Sequence, residues 1–99
     1  MTPKTIELHP EAISEARSVR LWYSSRDARA SDAFMLELDD ALEWIIEAPN
    51  RWPRYLHGTR RNLLRRFPYS IVYRNKPAAI EVLAVAHNRK RPAYWAHRK

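Results

Sequence analysis

The sequence predicts one α+β domain, with two helices on one face of a small, mainly antiparallel sheet. Three observations carry this. A short alternating run at the N-terminus precedes two stripes of helical period, the apolar period changes to two after Pro49, and the connections between these segments are short. Ninety-nine residues, 45% of them apolar, can enclose a single hydrophobic core, so residues 1–99 are expected to form one domain without a linker.

Thr5 to His9 (TIELH) alternates, with Ile6 and Leu8 on one face, and predicts a first strand. Pro10 starts a helix, where its missing N–H costs nothing and Glu11 favours the positive end of the dipole. Ala12, Ala16, Val19 and Tyr23 recur at spacings of four, three and four and so share a face. The polar stretch Ser24 to Arg29 predicts a tight turn, after which Ala30, Phe34, Leu38, Ala41 and Ile45 form a second stripe ending at Pro49. Glu37, Asp39, Asp40, Glu43 and Glu47 occupy its polar positions and are expected to form a solvated face. Arg60 to Phe67, Tyr69 to Arg74 and Ile80 to His87 alternate and are rich in β-branched or aromatic residues, which predicts three strands, the last two joined by a turn at Asn75-Lys76-Pro77. The expected core is Ile6, Leu8, Ala16, Val19, Tyr23, Phe34, Leu38, Ala41, Ile45, Ile71, Tyr73 and several of Ile80 to Val85.

The net charge of +7 conceals a division. Met1 to Asn50 carries five basic and ten acidic residues, a balance of −5, whereas Arg51 to Lys99 carries thirteen basic residues against Glu81 alone, a balance of +12. The second half therefore reads as a surface for a polyanion or an acidic partner. The absence of Cys excludes disulfides, thiolate nucleophiles and Cys-based zinc sites, and a single Gly, Gly58, excludes a Gly-rich phosphate loop. His9, His57, His87 and His97 have no metal-ligand spacing, so neither metal nor cofactor is expected. No signal-peptide pattern and no run of about 18 apolar residues occurs, which points to a cytoplasmic protein without a membrane partner.

Two basic sets are candidate sites. From His87 to Lys99 cations alternate with aromatics, and Arg89, Arg91, Tyr94, Trp95 and Arg98 can hold phosphates, stack on bases or clamp an acidic protein. This run lies beyond the last strand, where packing asks least, so removal after His87 is expected to spare the fold. His87 has two readings, a general acid–base and a strand-end histidine satisfied by hydrogen bonds; Trp95 is either a binding residue or a core anchor. The other set is Arg60, Arg61, Arg65 and Arg66, where strand alternation sends Arg61 and Arg65 to one face and Arg60 and Arg66 to the other.

His9-Pro10-Glu11-Ala12, Trp22-Tyr23, Pro49, Arg65-Arg66-Phe67-Pro68-Tyr69-Ser70-Ile71-Val72-Tyr73, Ala84-Val85-Ala86-His87, Arg91-Pro92, Tyr94-Trp95 and Arg98 follow in an order that resembles the ParE branch of the RelE/ParE toxin superfamily. The resemblance implies the toxin of a type II toxin–antitoxin pair, of the plasmid-stabilisation kind, causing growth arrest and neutralised by an acidic antitoxin. It also implies that operator DNA is met only through that antitoxin. The ParE branch is associated with inhibition of DNA gyrase by binding; the RelE branch cleaves messenger RNA on the ribosome. Ser70 stands where the ribonuclease branch has an Arg, so its residue set is incomplete, although Arg61, Arg65, His87, Arg89 and Tyr94 are candidates for a different, metal-independent one. A third reading is a toxin-like chain that only binds its antitoxin. For binding target or antitoxin, the candidates are Arg61, Arg65, Arg66, Arg89, Arg91, Tyr94, Trp95 and Arg98.

Overall fold

The computed structural model describes residues 4–98. In chain order the elements are β1 (Thr5–Leu8), α1 (Pro10–Ser24), α2 (Ala28–Glu47), a 3-10 turn (Leu56–Gly58), β2 (Arg60–Leu63), β3 (Tyr69–Asn75) and β4 (Ala79–His87). The strands lie in the order β1-β4-β3-β2, with β2, β3 and β4 antiparallel and β1 parallel to β4. The sheet is thus mixed and mainly antiparallel, and the α+β expectation holds. No helix among the described residues is long and apolar enough to cross a membrane.

Local chemistry sets the helix starts. The His9 N–H donates to the Val82 carbonyl at 2.9 Å while its ring Nδ1 accepts from the Glu11 N–H at 3.1 Å, so the residue expected to end β1 instead caps α1, and Pro10 follows at the first helical position. Asp27 caps α2 by accepting from the Arg29 N–H at 2.9 Å, which starts that helix two residues before the first position of the apolar stripe.

Between helices and sheet lie Ala12, Val19, Phe34, Leu38, Ala41 and Ile45, packed on Ile71, Tyr73, Ile80, Val82 and Val85. Ile6, Leu8, Ala16 and Tyr23, expected in this core, are only partly buried at its margin. Tyr23, Phe34, Phe67 and Tyr69 form an aromatic cluster with centroids 5.1 to 6.0 Å apart.

The other face of the sheet is covered as well. Val72, Leu83, Ala84 and Ala86 are buried under Trp95, with Tyr55, Tyr94 and Ala96 at the rim. A bulge makes this second core possible. Val72 pairs with Ala84 but Tyr73 with Val82, so Leu83 is unopposed and the alternation of β4 reverses. Val85 thereby returns to the helices while Ala84 and Ala86 face the tail.

Candidate functional site

The basic run from Arg60 to Arg66 does not stay extended. β2 ends at Leu63, the Leu64 N–H turns to the Tyr69 carbonyl at 2.9 Å, and the Glu37 carboxylate on α2 accepts the N–H groups of Arg65 and Arg66, the latter at 3.1 Å. Alternation therefore fails as a guide here: Arg65 is in an exposed turn beside α2, not in one row with Arg61. It also corrects the reading of Glu37, which anchors that turn instead of only facing water. Arg60 donates to the carbonyls of Asn50 and Trp52 at 3.3 and 2.8 Å and so ties down the preceding loop. Arg61 lies across from Val72 on the second face, its guanidinium carbon 4.1 Å from the centroid of the Tyr55 ring.

The tail is held by two carboxylates of α1, with Glu15 making most of the bonds. Glu15, on α1, accepts from the Tyr94 hydroxyl at 2.5 Å, from Arg98 Nη1 at 2.8 Å and Nη2 at 3.1 Å, and from the Val85 N–H at 3.1 Å. Arg98 also donates to the Leu83 carbonyl at 3.0 Å and lies 3.3 Å from Glu11. Burial pushes the Tyr94 hydroxyl pKa well above its ordinary value, and the hydrogen bond to the Glu15 carboxylate adds to the rise. Trp95 is 2% exposed and Arg98 7%, so the two outermost candidates of the run lie inside the fold and the core-anchor reading describes Trp95. The expectation that the run can be removed after His87 fails for the same reason: it would uncover the second core and leave Glu15 without its partners.

His87 packs its ring against Tyr69 on the α1 side, with centroids 5.0 Å apart, and its Nδ1 accepts from the Arg89 N–H at 3.0 Å. Arg89 and Arg91 are exposed. The Ser70 hydroxyl donates to Asn88 Oδ1 at 2.5 Å, at a cavity on the second face lined by Arg61, Tyr55, Lys90, Arg91, Tyr94 and Trp95 among others. The structure thus brings Arg61, His87, Arg91, Tyr94 and Trp95 to one cavity, adds Tyr55, Lys90 and Asn88, and leaves Arg65 and Arg66 elsewhere. Glu15, which orders the tail, gave no signal in the sequence, because it meets Arg98 only after the chain folds back across 83 residues.

Two grooves flank α1. Between α1 and the end of β4 runs a groove of about 500 Å³, lined by Ser14, Ser18, Val19, Tyr69 and His87 and by the charged Glu11, Glu15, Lys90 and Arg98, among others. Between α1 and α2 an apolar groove of about 360 Å³ is lined by Leu8, Ile13, Ala16, Met35, Leu38 and Leu42, with Arg17, Arg20 and Asp39 also lining it.

A search of curated proteins finds no match. Among solved structures, the chromosomal ParDE toxin–antitoxin system from P. aeruginosa contains a chain that superposes with a TM-score of 0.75 over 85% of this chain and 95% of that one. At 16% identity that likeness shows the fold alone. The family model described as "ParE toxin of type II toxin-antitoxin system, parDE" matches residues 6–92. With that match over most of its length, this chain belongs to the ParE toxin family of type II toxin–antitoxin systems.

Proposed function

We propose that this chain arrests growth by binding DNA gyrase and that an acidic antitoxin neutralises it. The observation that favours binding over catalysis is the commitment of the ribonuclease candidates to contacts that hold the fold. Arg65 lies beside α2, the His87 Nδ1 is engaged by the Arg89 N–H, and the Tyr94 hydroxyl is committed to Glu15. A general base and a cation must reach the same phosphodiester within hydrogen-bond distance. Arg61, which lines the cavity of the second face beside His87 and Tyr94, has no side-chain hydrogen bond among the described residues and is left to act without a free base beside it.

We assign the antitoxin to the helix layer, because the groove there joins apolar walls to two cations, whereas Trp95 covers the apolar middle of the second sheet face. An amphipathic acidic helix suits the groove between α1 and α2, with apolar anchors on Ile13, Met35 and Leu42 and carboxylates on Arg17 and Arg20. The test adds the purified chain to a gyrase supercoiling assay and, in parallel, to ribosomes carrying messenger RNA, each with and without the acidic product of the adjacent reading frame. Loss of supercoiling, relieved by that product, is expected. Cleaved messenger RNA with supercoiling untouched would establish the ribonuclease alternative; no effect in either assay, with the partner still bound, would leave only the antitoxin-binding reading.

A further inference from the structure

We infer that the second face of the sheet carries a phosphodiester-binding cleft, formed by Arg61, Lys90 and Arg91 around the Ser70–Asn88 pair, which takes a strand of nucleic acid. It goes beyond the proposed function and does not depend on which target the toxin has. Arg61 comes from β2 and Lys90 and Arg91 from the turn after β4, yet all three line one cavity. None is in an ion pair among the described residues. The carboxylates that could neutralise them are engaged elsewhere: Glu15 by Arg98 and Tyr94, and Glu81, the sole acid of the C-terminal half, by Arg74 at 3.6 Å and Lys76 at 3.0 Å.

The aromatics hold two of these cations in place. Arg61 stacks on Tyr55 at 4.1 Å, and Lys90 Nζ lies 4.3 Å from the centroid of Tyr94. Stacking occupies the flat face of a guanidinium and leaves its in-plane N–H groups free to donate, the geometry that a phosphate oxygen accepts. At the floor, Ser70 is 2% exposed and spends its hydroxyl proton on Asn88 Oδ1, which leaves the Asn88 amide N–H groups available as donors. The well itself measures about 20 Å³, room for one oxygen-sized group.

A single carboxylate side chain would answer one of three clustered cations, whereas a nucleic-acid strand supplies regularly spaced anions and bases that stack on aromatic rings. The ring faces of Tyr55 and Tyr94 already carry Arg61 and Lys90, so recognition here rests on the spaced anions. No catalysis is implied: His87 also lines the cavity, but its ring packs on Tyr69 and its Nδ1 accepts from the Arg89 N–H.

Fluorescence anisotropy with short labelled single-stranded DNA, RNA and duplex DNA tests the inference across a salt series. Three contacts to a single strand predict a log–log salt slope of about −2, and Arg61→Gln or Arg91→Gln should each flatten it by about 0.7. Arg29→Ala, at an exposed cation of the helix layer, should keep the parent slope, and Arg61→Lys should keep most of it. Comparison of the three polymers shows which source supplies the phosphodiester. Equal weakening by Arg29→Ala would overturn the inference by showing general attraction alone, as would failure to bind any of the polymers. So would polyglutamate competing as well as nucleic acid, which would assign the cleft to an acidic polypeptide. Arg91 is exposed, so its variant decides the matter even if Arg61→Gln fails to fold. A chain that inhibits gyrase but binds no oligonucleotide sinks this inference and leaves the proposed function standing.

Discussion

Replacing Trp95 by Ala should destabilise the protein by about 3 to 5 kcal/mol, the range for a large aromatic removed from a close-packed site. The side chain is 2% exposed and covers Val72, Leu83, Ala84 and Ala86, with no other element over the middle of that face. A domain of this size is stable by only about 5 to 15 kcal/mol, so the loss is a large fraction of the total. At about 4 to 8 °C per kcal/mol, the thermal midpoint should fall by at least ~12 °C. Urea and thermal unfolding followed by circular dichroism measure both quantities. Trp22→Ala is the matched control: that ring is half exposed, its polar contact is the Arg26 guanidinium 3.7 Å away, and its loss should cost less than about 1 kcal/mol. If Trp95→Ala stays within about 1 kcal/mol of the parent, the tail is not part of the core and the second face is open after all. The same reasoning governs toxicity assays. Loss of growth arrest on truncation after His87 reports unfolding as readily as a lost surface, whereas Arg89→Ala with Arg91→Ala removes exposed charge and leaves the packing alone.

Two further outcomes follow from the polar anchors. Because the Tyr94 hydroxyl is raised above its ordinary value of 10.0 first by burial and then by Glu15, the folded state keeps that proton after the unfolded chain has lost it. Its contribution is fully present below pH 10 and is lost as pH rises toward the folded value, so the alkaline decline in stability above pH 10 should be shallower for Tyr94→Phe than for the parent; identical slopes in urea titrations would show the hydroxyl to be uninvolved. Glu37→Ala should cost about 1 to 2 kcal/mol, since it leaves the Arg65 and Arg66 N–H groups to water alone, while Asp39→Ala on the same helix should cost less than about 0.5 kcal/mol. Equal effects in denaturant would place Glu37 with the solvated residues.

What the sequence discloses here is what period and local caps control. The stripes of α1 and α2 bury Val19, Phe34, Leu38, Ala41 and Ile45 as their spacing requires, since a helical face must meet the core whatever the rest of the chain does. Strand alternation succeeds for Ile71 and Tyr73 and breaks at two places where a feature outside the pattern intervenes. One is the bulge at Leu83, invisible because every residue from Val82 to Ala86 is apolar and either face would accept it. The other is the turn after Leu63, created by the carboxylate of Glu37, 28 residues away from Arg65. The candidate site was legible only as a composition. Cations interleaved with aromatics mark the tail as distinctive, but whether Trp95 faces water or the sheet depends on Glu15, and nothing in the tail's own residues encodes that partner.

The division of charge then acquires a structural meaning. Most of the second face of the sheet belongs to the basic half, because β2, β3, β4 and the tail all come after Asn50, while the acidic half builds the helices and the edge strand β1. Two acids of α1 hold the tail down, Glu11 through its ion pair with Arg98 and Glu15 with both oxygens engaged. Glu15 therefore orders Tyr94 and Arg98 and forms no ion pair with Arg61, Lys90 or Arg91, although Lys90 lines a groove with it. A carboxylate placed one turn further along α1, at Ser18, would lie in the groove that also contains Lys90's neighbour His87. Ser14 and Ser18 add no further acid to a flank that already carries Glu11 and Glu15, so the fold holds its tail with those two and keeps Arg61 and Arg91 available to a partner.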